Sequence, residues 1–177
     1  MPDSQTPPPP AAPAVLVIVG SRIGNKGFPI EAGYALPDGQ SHCRLIRPTP
    51  DWSGWDADAE RLHRIPLPTL YLNGVEPREV AAQLNAHLQG LTVYCDGWAA
   101  SSAALGMLFE AAGLAPTFGL ADLRGLLGAR ELAFWDVVKT QVATEMRLQR
   151  HRASSDAKVL QHTLMRLRAP LPAGPSA

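Results

Sequence analysis

His151-Arg152-Ala153-Ser154-Ser155-Asp156-Ala157 is the stretch on which the fold turns. His151 and Asp156 stand five positions apart, an offset that does not place them on one face of a regular helix. The spacing makes sense if His151 lies on the loop entering a helix and Asp156 within that helix's first turns. Ser154 or Ser155 would then cap the helix, and Asp156 would favour its positive end. The apolar pattern that follows predicts a helix over 154–167, the last of the chain.

Upstream of this stretch, 129–148 reads as a long amphipathic helix. At the other end of the chain, 14–19 is a short apolar strand that stops at Gly20. Segments 29–36 and 42–47 are two further strands joined by a turn at Pro37-Asp38-Gly39, which suggests an antiparallel meander. A short helix is expected over 56–63, with Asp56 as its N-cap. Over 76–88, Val80, Leu84 and Leu88 recur every four residues and predict a clearer helix, broken by Gly90. A fourth strand follows at 91–95. Another helix is expected at 101–112, with Leu105, Leu108 and Phe109 on one side and Gly113 as its stop. Three strands, two helices, a strand and further helices describe an α/β domain with a mixed sheet covered by helices. Trp52 and Trp55 are expected beneath a loop, and Trp98 and Trp135 in the core.

The chain has 177 residues, 46% apolar and 18% charged, which suits one globular domain and excludes wholesale disorder. Prolines crowd residues 1–13, expected to be a mobile arm, and recur in a tail at 169–177, leaving 14–168 as the folded unit. A proline run can also dock in a groove of SH3 type. Sixteen basic and sixteen acidic residues cancel, so the whole molecule has no strong field for a polyanion. The balance is uneven, however: residues 130–168 hold eight Lys/Arg and four Asp/Glu. Such a segment can meet phosphates or form a solvated helical face. Cys43 and Cys95 form no C-x-x-C pair, which fits a reducing cytosol and excludes a zinc ribbon. The longest strongly apolar run, 15–19, is too short for a signal core or a membrane span, so a cytoplasmic protein is expected.

Gly20-Ser21-Arg22-Ile23-Gly24-Asn25-Lys26-Gly27 follows a strand and superficially resembles a nucleotide-binding loop. Phosphate cradling needs a helix to begin there, because its free N–H groups hold the anion. Phe28-Pro29-Ile30-Glu31 follows instead, with strand character and a proline. The spacing also misses both the P-loop and the dinucleotide-binding patterns. A loop between two strands is the simpler reading.

Four features occur together in a telling order. Val15–Gly24, VLVIVGSRIG, looks like a first strand and small-residue loop, and Ile30-Glu31-Ala32-Gly33 follows in the next strand. Thr92-Val93-Tyr94-Cys95-Asp96-Gly97-Trp98 forms a strand and turn, and His151–Ala157 comes last. In this order they resemble the DEDDh 3′–5′ exonucleases, of ribonuclease T and proofreading-exonuclease type, in the ribonuclease H-like superfamily. The resemblance covers about residues 15–165 and implies a ribonuclease H-like α/β fold. It also implies a site in which carboxylates hold two divalent ions, Mg or Mn, while a histidine takes a proton from the attacking water.

Carried over position by position, the resemblance makes His151 the general base and Asp156 the fourth carboxylate, a weak metal ligand on its own. The first-motif acids fall on Val19 and Ser21 and the second-motif acid on Ser101, none of which is a carboxylate. Glu31 and Asp96 are the nearest acids that could substitute. Arg22, Lys26, Arg150 and Arg152 would flank the cleft and could hold phosphates of a nucleic acid. The resemblance therefore implies a degenerate exonuclease-like domain that needs no cofactor and binds single-stranded nucleic acid or a protein partner. The alternative is an active Mg- or Mn-dependent 3′–5′ exonuclease with a non-standard carboxylate set.

Overall fold

The computed structural model describes residues 11–24 and 27–169. Lys26, most of the proline-rich arm (1–10) and nearly all of the tail (170–177) lie outside the described residues. Five strands, β1 (Ala14–Gly20), β2 (Pro29–Ala35), β3 (Ser41–Leu45), β4 (Thr92–Cys95) and β5 (Gly119–Asp122), form one sheet in the order β3-β2-β1-β4-β5. The first three make the expected meander: β1 pairs antiparallel with β2, and β2 with β3. The turn between β2 and β3 closes as the sequence suggests, with Gly39 at φ 85° and the Gln40 N–H donating to Asp38. β4 and β5 join the other side of β1 in parallel, and so need helical crossovers.

Six helices supply the cover: α1 (Ala57–His63), α2 (Leu67–Asn73), α3 (Pro77–Leu88), α4 (Trp98–Ala112), α5 (Ala129–Met146) and α6 (Ala153–Arg168). Alternation along β1 divides the core. Ala14 and Leu16 face a cluster that includes Val80, Leu84 and Leu88 of α3 and Leu105, Leu108 and Phe109 of α4. Val15 faces Trp135 of α5 and Ala157, Leu160 and Leu164 of α6. Every residue of β2 is buried, because both faces of that strand are covered. Each fully buried Leu of this kind contributes about 1.5–3 kcal/mol. A third cluster, Phe28, Ile30, Ile65 and Leu70, closes one end under Trp52 and Trp55; Phe28 stacks on Trp52 at 5.6 Å.

Two elements depart from expectation because their sequences carry little pattern. Helix α2 starts after Pro66 and contains Pro68; both read as breakers, yet proline is tolerated in a helix's first turn. Strand β5 is only four residues, Gly-Leu-Ala-Asp, too short to show alternation. Helix α4 begins at Trp98, three residues early, behind Gly97 at φ 83°, which puts Ser101 in its first turns. Helix α6 begins at Ala153 with Arg152 as N-cap and no side-chain cap, so neither Ser154 nor Ser155 caps it. Trp135 is core as expected, whereas Trp98 is 49% exposed.

Gly33 of β2 explains why α6 can start where it does. A Cβ at this position would collide with the main chain of Ala153 and Ser154. Only glycine lets the helix sit directly on the strand. Lower down, the Gln161 amide of α6 donates to the carbonyls of Pro13 and Leu36, at 2.9 Å each.

Candidate functional site

The start of α6 is held by charge as well as by contact. Glu31 on β2 is fully buried, and its carboxylate accepts from Arg152 Nε at 3.0 and 3.1 Å and from Arg152 Nη2 at 2.5 Å. The Ala153 N–H adds a bond at 2.8 Å and the Cys43 thiol another at 3.1 Å. Burial pushes the Glu31 carboxyl up, but these donors together outweigh it and hold the group below the usual carboxylate range. The same surroundings push the Cys43 thiol up to about 11. Glu31 and Arg152 thus occupy each other. Glu31 is no spare carboxylate for a metal, and Arg152 is not a free cation for phosphate, because each satisfies the other's charge away from the cleft.

Just before this clasp the chain passes through His151, exposed and in the left-handed region at φ 61°. Non-glycine residues rarely adopt that conformation. Here it turns the loop between α5 and α6 so that His151 and Asp156 line one hollow of about 240 Å³. Burial raises the Asp156 carboxyl above its ordinary value, despite the nearby His151 and Arg150. The neighbouring cations lower it without reversing that shift.

From the sheet, the residue lining this hollow is Val17. Alternation sends Val15, Val17 and Val19 to the α6 side, but the pairing with β2 becomes irregular at Val19/Gly20 and Val19 packs against the Phe28–Ile30 cluster. Ser21 is fully buried: its hydroxyl accepts from the Phe28 N–H at 3.0 Å and donates to the Gly54 carbonyl at 3.1 Å. Neither expected first-motif position therefore faces His151. Ser101 does border the cleft, in an adjoining hollow of about 160 Å³ that shares Val17 and Asp96 with the first.

Asp96 stands where the two hollows meet, and it is held by Arg124 Nε at 3.2 Å and Lys139 Nζ at 3.4 Å. Arg150 lines the larger hollow. Arg22 is exposed and lies over Gly54, on the loop that carries Trp52 and Trp55. Among the described residues no three His, Cys, Asp or Glu side chains are grouped as a metal site. Among the cleft residues that the sequence did not single out are Val17 and Lys139. Lys139 could have been noticed, because it falls on the inward stripe of α5, four after Trp135 and three before Val142, both buried.

No protein-family model matches the chain, and no curated protein matches it. Solved structures do. S. pombe Pop2p, in a form with Mg2+ and Mn2+ bound, superposes with a TM-score of 0.56 at 13% identity, over 89% of this chain and 83% of that one. Exonuclease I from Methylocaldum szegediense gives 0.63 at 10% identity, and the zinc-bound E. coli exonuclease I complex with single-stranded DNA gives 0.61 at 10%. In both cases the match covers 89% of this chain and 41% of the other, so this chain spans about two-fifths of either exonuclease I. The fold is the ribonuclease H-like fold of these exonucleases.

Proposed function

We propose that this chain is a catalytically impaired 3′–5′ exonuclease-like domain whose cleft holds single-stranded nucleic acid. The observation that carries the reading is the company kept by His151 and Asp156. They face Val17, an apolar residue, and an Asp96 already held by Arg124 and Lys139. Two divalent ions a few Å apart need several oxygen ligands with uncompensated negative charge. One partly buried aspartate with a raised pKa and a second aspartate bound to two cations do not fit that demand. With no ion to generate hydroxide, His151 has no activated water to serve. Binding of a strand is supported by the fold shared with proteins such as exonuclease I, solved with single-stranded DNA, and by Arg150 at the cleft.

The second reading is an active Mg- or Mn-dependent exonuclease that recruits Asp96. It is favoured by one observation, that Asp96 lines both hollows. Incubation of a labelled single-stranded oligonucleotide with Mn2+ or Mg2+, alongside His151→Ala, separates the two. The impaired reading expects no trimming by either protein. Metal-dependent trimming that His151→Ala abolishes would overturn it. In the same samples, affinity that falls steeply with salt is expected for a strand held by its phosphates.

A further inference from the structure

The cleft contains a cation that belongs to the chain itself. Lys139 projects from the inward stripe of α5 with its side chain 31% exposed, its ammonium 5.9 Å from the Trp135 ring centroid. Taking an ammonium partly out of water is costly unless it is paired. Its pairing here is loose, since its carboxylate partner among the described residues, Asp96, is 3.4 Å away and also serves Arg124. An ammonium has three donors, so Lys139 keeps capacity for another acceptor. Arg150 lines the same hollow from the loop between α5 and α6. The charged and titratable groups that line the space are Lys139, Arg150 and His151 against Asp96 and Asp156. Within the lining, two permanent cations face two carboxylates, in a recess of about 240 Å³ partly walled by apolar side chains, and Arg124 from outside it takes up part of the Asp96 charge. That leaves little uncompensated negative charge for a dication.

We propose that Lys139 and Arg150 form an anion site that takes a phosphate group without any metal ion. Resting on the nucleic-acid reading of this cleft, the phosphate is that of a strand's terminal nucleotide. The tethered ammonium and the guanidinium meet its oxygens through charge-assisted hydrogen bonds. Asp96 then acts as a competitor, occupying Lys139 when no phosphate is present.

The test uses the full chain in EDTA, titrated with inorganic phosphate, with adenosine 5′-monophosphate and with a labelled single-stranded oligonucleotide. Binding of all three is expected, with affinities unchanged when Mg2+ replaces EDTA. Lys139→Met is expected to weaken each by about tenfold or more, the scale of one charge-assisted bond. Lys139→Arg should restore most of the loss, and Lys158→Met, a change on α6 outside the hollow, should leave affinity alone. Asp96→Asn should tighten phosphate binding by releasing Lys139, an outcome that a folding defect would not produce. Binding that requires Mg2+ or Mn2+, or that weakens with Asp96→Asn, would overturn the site. Oligonucleotide affinity unaffected by Lys139→Met would also overturn it while leaving strand binding intact. Binding of phosphate and the mononucleotide without the oligonucleotide would instead keep the anion site and overturn the strand reading.

Discussion

Glu31 and Arg152 lie 121 positions apart in the chain and meet in a two-point ion pair whose carboxylate is entirely buried. This contact ties β2 to the N-cap of α6, and it fixes where His151 and Asp156 stand. Arg152→Ala would leave the Glu31 charge buried without its main partner, which typically costs about 3–5 kcal/mol. Urea denaturation of the variant should show a loss of that size. A loss under about 1 kcal/mol, the scale of an exposed pair, would mean that the clasp contributes little.

The same pair sets the behaviour in acid. Because its donors hold the Glu31 carboxyl below its ordinary 4.5, the folded state binds that proton less tightly than the unfolded chain does. The resulting stabilisation is fully present above pH 4.5 and is lost as pH falls through the folded-state value. Denaturation midpoints of the wild type and Glu31→Gln, followed from pH 7 downwards, are therefore expected to converge below 4.5. A difference that stays constant with pH would contradict the depressed carboxyl.

Ser21 falls where the family resemblance places a metal carboxylate, yet its hydroxyl spans Phe28 and Gly54 in the interior. Ser21→Ala should lower stability by about 1–3 kcal/mol, the cost of stranding buried polar groups. Oligonucleotide affinity should be unaffected at temperatures where the variant is folded. Weaker binding without destabilisation would place Ser21 in the site after all.

Asp156 carries the opposite linkage to Glu31. Burial raises its pKa, so ionised Asp156 opposes folding at neutral pH and protonated Asp156 does not. Asp156→Asn is expected to raise the denaturation midpoint at pH 7. That gain should fade as pH falls through the raised value towards the ordinary 3.8. If the substitution destabilises the protein at pH 7, a stabilising partner for the carboxylate must exist in solution.

Much of this was legible in the chain. Val80, Leu84 and Leu88 announced α3 through their spacing, and the Pro37–Gly39 turn joined its two strands as read. His151 and Asp156 proved to share a hollow because the five-residue offset required a turn before the helix. The rest depended on contacts between distant segments, which local pattern does not encode. Glu31 and Arg152 each looked available when considered alone, and only the approach of α6 onto Gly33 shows that they are spent on each other. Val17 rather than Val19 lines the hollow, and the irregular pairing at Val19/Gly20, where Val19 packs on the Phe28–Ile30 cluster, is not readable from the strand's own composition. Strand β5 escaped notice because its four residues are defined by their partner Thr92–Cys95 more than by their own composition.

Val17 has a consequence for the history such a site can have. A cluster of carboxylates strains its own scaffold by mutual repulsion, whereas an apolar Val17 adds no charge beside Asp156 and Asp96. The way back is steeper. One acid introduced at Val17 would place a desolvated charge beside Asp156 and Asp96 and still fall short of the ligands that two ions require. Each added carboxylate costs stability before the ligand set for two ions is complete. On the proposed impaired reading, such a loss works as a ratchet, and the Glu31–Arg152 clasp, whose bonds involve no metal, holds β2 to the start of α6 regardless.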